Sequence, residues 1–368
     1  MKKLMVLVAV FLSSSVFAES CEWSQWQTFK SVYIEQGRVV DGSDSRRITT
    51  SEGQSYALFF ALVANDKQTF ANLLNWTQQH LAGGDLTAQL PAWLWGKKAN
   101  GQWGVLDSNP ASDSDLWIAY TLVEAGRLWD NYYYQSLGYL LASRILREET
   151  VTIEDGGLLL LPAPKGFVLE DGYRVNPSYV PLQVIARMRS LYPQQPWGEM
   201  YQTSVSMLTK TMPKGFSPDW ALEDANQYQT DPITGTIGSY NAIRTYLWAG
   251  MLNDSVAEKS ALVEQMQPFV EATSTLGAPP REVNTQTGKF SNKGSAGFSA
   301  AALPLIDAVA DKDLLQQQAE RANTLLVSDR NDYYYDNVLS LFGMGWHQGH
   351  YRFGLNGELV PAWSNSCQ

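Results

Sequence analysis

The 368-residue sequence carries 27 Lys and Arg against 37 Asp and Glu, a formal charge of −10, with 45% hydrophobic residues and only two cysteines. Nucleic acid and anionic membrane surfaces are poor partners for a chain of that sign. No apolar run is long enough to cross a bilayer.

Residues 1–18 have the pattern of a cleavable secretory leader, with Lys2 and Lys3, an apolar run over 4–12, and Val16-Phe17-Ala18 as a small-residue cleavage site. That reading places the chain in the periplasm or outside the cell. The part from Glu19 onward is long enough for two domains. It shows no linker, low-complexity tract or composition break, so 19–368 is expected to be one domain. Cys21 and Cys367 lie at opposite ends of it. In an oxidising compartment a disulfide joining the termini is favoured, with two unpaired thiols as the alternative.

Trp23 opens a first amphipathic stretch, and Ser51-Glu52-Gly53-Gln54-Ser55 leads into a run over 56–64 that is apolar on every side. Residues 67–81 follow with Phe70, Leu73, Leu74 and Leu81 on one face and Asn72, Gln78 and Gln79 opposite, the pattern of a surface helix. The same alternation returns: 116–128 apolar, 132–147 mixed; 179–186 apolar, 200–208 more polar; 240–252 apolar, 256–266 amphipathic; 298–309 apolar, 314–326 polar. Residues 338–344 close the series, with the Trp23 stretch left as their partner. Strand signals are confined to short pieces such as 150–161 and 354–361. About twelve helices in six inner and outer pairs predict an all-α protein, an (α/α)6 barrel with a few short strands. The inner helices then run parallel and present their starts on one face.

The segments entering the apolar helices carry Glu52, then Asp113 and Asp115, Asn176-Pro177-Ser178-Tyr179, Ser239-Tyr240-Asn241, Gly297-Phe298 and Tyr335-Asp336-Asn337. Ser112 is the expected N-cap of the helix that contains both aspartates. Between helices lie Trp93, Trp95 and Trp103. Aromatic faces stack on the C–H faces of sugar rings, while Asn, Arg and Asp bond hydroxyls. Glycoside hydrolysis needs two carboxyl groups, and Glu52 and Asp113 form a candidate pair. A helix start favours the ionised form, whereas burial and a second carboxylate push the other way. Acids in a first turn are more usually caps, and the tryptophans serve equally as core. His347 and His350, in a chain of three histidines without a matching cysteine pair, do not make a zinc site. Phosphate-loop, G-x-S-x-G and H-E-x-x-H patterns are missing from the sequence.

The run Ala111-Ser112-Asp113-Ser114-Asp115 through Ile118-Ala119 to Ala125 and Trp129 resembles the signature of glycoside hydrolase family 8, and 49–56 resembles its general-acid motif. The resemblance spans the chain. Residues 91–98, 213–220 and 297–301 are most similar to the branch encoded beside bacterial cellulose synthases. It implies an (α/α)6 barrel, inverting hydrolysis of β-1,4-glucan (cellulose and cello-oligosaccharides), no cofactor, and a role beside the cellulose synthesis and export machinery. By the same resemblance Glu52 is the proton donor and Asp113 orients the ring at the cleavage point. Trp93, Trp95, Trp103, Tyr179, Tyr240 and Arg244 line the cleft. Asn241 stands where the endoglucanases carry an aspartate base, and an amide cannot take that proton. In one branch with Asn here the base comes from a loop elsewhere, which makes Glu223, Asp224 and Asp231 candidates, alongside Asp113 itself. The alternatives are a weakened glucan-binding protein and a chitosanase-like enzyme. Ser114, where Ala or Gly is usual, is a milder departure.

Overall fold

The computed structural model describes residues 22–154, 156–225 and 227–364. The expected leader, Cys21 and Cys367 lie outside the described residues. Among the described residues thirteen α-helices run in order: α1 Ser24–Tyr33, α2 Ser51–Val63, α3 Lys67–Leu81, α4 Ser112–Leu128, α5 Tyr132–Glu148, α6 Leu182–Leu191, α7 Trp197–Lys210, α8 Ala242–Met251, α9 Ala257–Gln265, α10 Gln267–Leu276, α11 Ala296–Ala308, α12 Lys312–Leu325 and α13 Tyr334–His347.

Helices α2, α4, α6, α8, α11 and α13 are apolar nearly all round and form the inner ring, with α8 buried along its whole length. Neighbours in that ring pack in chain order, and stacked and edge-on contacts of Phe342 with Phe59 and Phe60 bring α13 back to α2. Each inner helix is backed by an outer one: α3, α5, α7, α9 with α10, α12, and α1 behind α13. The outer helices bury a single stripe; α12, for example, buries only Leu314, Gln318, Ala319 and Ala322. The result is an (α/α)6 barrel.

The count of thirteen rather than twelve has a local cause. The outer partner of α8 is broken at Gln267-Pro268, where proline lacks the N–H that a continuing helix needs. Strands are also more numerous than the sequence suggested. Besides the pairs Thr150–Thr152 with Leu158–Leu160 and Tyr351–Phe353 with Leu359–Pro361, three small antiparallel sheets sit in the connections. One joins Thr49–Thr50, Leu94–Lys97 and Trp103–Asp107; one has four strands centred on Gly172–Val175 and Ala221–Asp224; one joins Ile237–Gly238, Pro280–Asn284 and Phe290–Lys293.

Connection lengths orient the barrel. At three inner-to-outer turns, Ala64–Asp66, Trp129–Asn131 and Val309–Asp311, one residue in the left-handed region (Asn65, Asp130, Ala310) is followed by an Asp or Asn whose side chain caps the outer helix. A left-handed turn plus a side-chain cap reverses the chain in three residues. The outer-to-inner connections are long (82–111, 149–181, 211–241, 277–295) and hold the sheets. The inner helix starts therefore open among the longer segments, and the ends of α2, α4, α6, α8 and α11 close in short turns, while α13 leads into the Tyr351–Phe353 hairpin.

The centre is aromatic: Phe342 touches Tyr56, Phe59, Phe60, Trp117 and Trp248, with centroids 4.6 to 5.5 Å away. Backbones approach closely beside it. A Cβ on Gly343 would stand 1.9 Å from the Ala300 carbonyl oxygen, and one on Gly250 2.3 Å from the Leu305 nitrogen. Gly343→Ala must push α11 and α13 apart, and is expected to cost about 3 kcal/mol or more in denaturant unfolding.

Candidate active site

Two sequence signals set the start of α2. Thr50 accepts the Gly53 N–H on its side-chain oxygen at 3.0 Å, so Glu52 falls in the first turn. The Ser51 N–H donates to the Trp93 carbonyl at 2.9 Å, which places Trp93 beside that turn. The Glu52 side chain remains 25% exposed. At the start of α4 the expected cap is displaced by one residue: Ala111 is the N-cap, and Ser112 is already helical, its N–H on the Pro162 carbonyl at 3.0 Å. Asp113 is buried at the bottom of this opening. Its Oδ1 accepts the Ser114 N–H at 2.7 Å and the Ser114 hydroxyl at 3.2 Å. The unusual serine thus supplies one more donor to that carboxylate.

Arg244, in the first turn of α8, joins these parts. Its Nη1 donates to Glu52 Oε2, to the Tyr56 hydroxyl at 2.9 Å and to Asp113 Oδ2 at 3.2 Å. Its Nη2 donates to Ser178 Oγ at 3.2 Å and to Asn241 Oδ1 at 3.0 Å. One planar fork therefore fixes groups from α2, α4, the turn before α6, and α8, a geometry that a point-charge ammonium cannot reproduce. The ring of Tyr179 lies 5.7 Å from the guanidinium.

Burial pushes Asp113 up to about 6; Arg244 works against that rise and Glu52 adds to it. The same carboxyl is protonated below that pH and ionised above it. Where an ionised Asp113 is needed, activity falls about tenfold per pH unit below about 6. A pH profile of kcat/KM checks this, and a flat profile from 4 to 7 would contradict it. Two residues along α4, Asp115 is fully buried against Glu149, and burial raises the proton affinity of both. Among the described residues none of their four carboxyl oxygens has a hydrogen-bond partner, and burial favours the protonated form of each.

Aromatic groups rim the opening. Trp103 is exposed and stacks on Trp95 at 5.2 Å. Trp220 stacks on Phe167 at 5.7 Å, lies 6.1 Å from Tyr179, and has the Arg174 guanidinium 4.1 Å from its ring. Tyr240 is exposed, and its carbonyl accepts the Tyr335 hydroxyl at 2.6 Å. Such a site can bind a sugar polymer and place carboxyl groups at one linkage.

The chain matches the family model for glycosyl hydrolases family 8 over residues 1–349. It belongs to that family. The family 8 chain is 46% identical over 371 residues to an endoglucanase of Escherichia coli (strain K12), covering 99% of this chain and 96% of that protein. Its structure is similar to that of an endo-1,4-D-glucanase from Vibrio fischeri ES114, with a TM-score of 0.91 and 55% identity over 94% of this chain and 100% of the other. The endo-beta-1,4-glucanase CMCax from Acetobacter xylinum shares the fold at a TM-score of 0.72 and 23% identity, over 87% of this chain and 96% of that one.

In this family 8 chain the structure brings Glu52, Asp113, Tyr179, Asn241 and Arg244 together, with Trp93 alongside. Trp95 departs from its expected place. It is 9% exposed, packed edge-on against Trp76 at 5.2 Å, with Trp103 and the Arg38 guanidinium also against it. It supports Trp103 rather than lining the cleft. The base candidates fare similarly. Asp231 is engaged by Arg174 at 2.9 Å and by the Thr234 N–H and hydroxyl, and Asp224 accepts the Gln229 amide. Glu223 is buried in the sheet opposite Tyr173. None of the three bonds to the Arg244 cluster among the described residues. Sequence reasoning missed Asp219, Trp220 and Phe167. The 213–220 run was used as a mark of kinship, and its Pro-Asp-Trp was the available signal for two of them.

Proposed function

We propose that the chain is an endo-β-1,4-glucanase that cleaves internal linkages of cellulose-like chains with inversion. The observation that carries this reading is the single guanidinium of Arg244, which holds Glu52 and Asp113 from separate helices at one point under an aromatic rim. Glu52, the more open of the two carboxyls, is the proton donor to the leaving oxygen. Asp113, sealed beneath and held by Arg244 and Ser114, binds hydroxyls of the ring at the cleavage point and stabilises the positive charge that develops there. Trp103, Trp220, Tyr179 and Tyr240 bear the flanking sugars. The names of the Escherichia coli and Vibrio fischeri proteins support β-1,4-glucan as the substrate.

The leader-like residues 1–18 support export to the periplasm or beyond. The resemblance to the branch encoded beside cellulose synthases supports a role in cellulose synthesis and export. Purified protein should release new reducing ends from carboxymethylcellulose and lichenan, and far fewer from xylan or chitosan. Proton NMR should show the α-anomer first. Cello-oligosaccharide binding without any new ends would instead identify a glucan-binding protein, the reading that Asn241 favours, and amino-sugar release would identify a chitosanase.

A further inference from the structure

The proposed hydrolysis needs a group to take the proton of the attacking water, and the amide of Asn241 cannot take it. Asp219 reaches the same place from the long connection before α8. Its Oδ1 accepts three backbone N–H groups, those of Ser239 at 2.9 Å, Asn241 at 2.9 Å and Ala242 at 2.8 Å. These bonds fix the carboxylate against the segment that carries Asn241, whose own Oδ1 is fixed by Arg244. Two polar atoms are then left over. Asp219 Oδ2 and Asn241 Nδ2 have no hydrogen-bond partner among the described residues, yet neither is sealed from solvent. The neighbouring Trp220 lies against Tyr179, and Tyr179 against Arg244, so the segment lines the opening. The Tyr335 hydroxyl is within electrostatic reach of Glu52, Asp113 and Asp219 at once.

We propose that Asp219 is the general base of this enzyme, with Asn241 orienting the water. This rests on the hydrolase reading above. Asn241 Nδ2–H donates to the water oxygen, and the water donates one hydrogen to Asp219 Oδ2. A lone pair of that oxygen forms the new bond to the anomeric carbon as the bond from that carbon to the leaving oxygen breaks. The leaving oxygen takes the proton of Glu52, and Asp219 takes the proton of the water. Solvent then returns a proton to Glu52 and removes the one on Asp219. Burial raises the proton affinity of Asp219, which the three amides and Arg244 only partly offset. A base poised nearer neutrality accepts a proton more readily.

The test uses Asp219→Asn, which keeps an oxygen for all three amides. Turnover on carboxymethylcellulose should fall about 10²–10⁴-fold, while cello-oligosaccharide affinity by calorimetry stays within a few-fold. Adding Asn241→Asp to that variant supplies a carboxylate on the other side of the same water, and should recover at least about tenfold of the lost turnover. A purely structural cap would instead let Asn241→Asp raise turnover by the same factor with Asp219 in place, a result that overturns the proposal. Asp219→Asn turnover within threefold of the parent overturns the proposal, and so does a folded double variant with no recovery. A parent protein with no glucanase activity removes the hydrolase reading itself, which separates the two failures.

Discussion

Glu52→Gln is expected to lower turnover on soluble β-1,4-glucan by about 10²–10⁴-fold while leaving cello-oligosaccharide binding in place. Glutamine keeps the shape and still accepts a hydrogen bond from Arg244, so the cleft should not rearrange. It has no acidic proton for the leaving oxygen. A substrate that does not need that proton, such as a cellobioside with a strongly acidic phenol as leaving group, should lose much less. Comparable losses on both substrates would remove Glu52 from the donor role, and retained activity on glucan would do so more directly.

Arg244→Met is expected to have the largest combined effect. Arg244 is 3% exposed and is the only cation that hydrogen-bonds Glu52 or Asp113 among the described residues. Removing one partner of a buried ion pair typically costs about 3–5 kcal/mol, because the remaining charge is left unpaired. The cost here depends on pH with a definite sign. Asp113 already holds its proton up to about 6 in the folded protein, and loss of Arg244 raises that further. The folded variant therefore binds a proton that the unfolded chain has released, and its stability falls as pH rises above about 4. Urea unfolding at pH 5 and pH 8 should show the larger deficit at pH 8. Arg244→Lys restores the charge but not the fork, and should recover part of the stability with little turnover. An equal deficit at both pH values would mean that Arg244 acts by packing rather than by charge.

The barrel was legible because the all-round apolar runs and the single-stripe runs alternate, and burial is read directly from that pattern. The break at Gln267-Pro268 was also visible in principle, since proline cannot donate within a helix. Carboxyls in first turns pointed to Glu52 and Asp113, because inner helices that run parallel collect their starts. The sheets at the mouth were less legible. Pieces such as Thr49–Thr50 and Ile237–Gly238 are two residues long, and only distant partners give them register. The fate of Trp95 was hidden for the same reason: its neighbours Trp76, Trp103 and Arg38 come from three other segments. Asp219 is not legible because it lies farther along the chain from Asn241 than Glu223, Asp224 and Asp231. A loop residue that reaches forward across 22 positions to accept the Asn241 backbone N–H carries no periodic signal.

The position of Asp219 has a consequence for how such a barrel diversifies. Its three bonds tie the chain to the foot of α8 just before the excursion through 221–238 begins, and the excursion ends where α8 starts. The segment between behaves as a loop clamped at both ends. Insertions, deletions or whole exchanges within it can reshape the walls that meet the polymer without disturbing the acids at the floor. Swapping that excursion between relatives is accordingly a route to altered chain-length preference at unchanged chemistry.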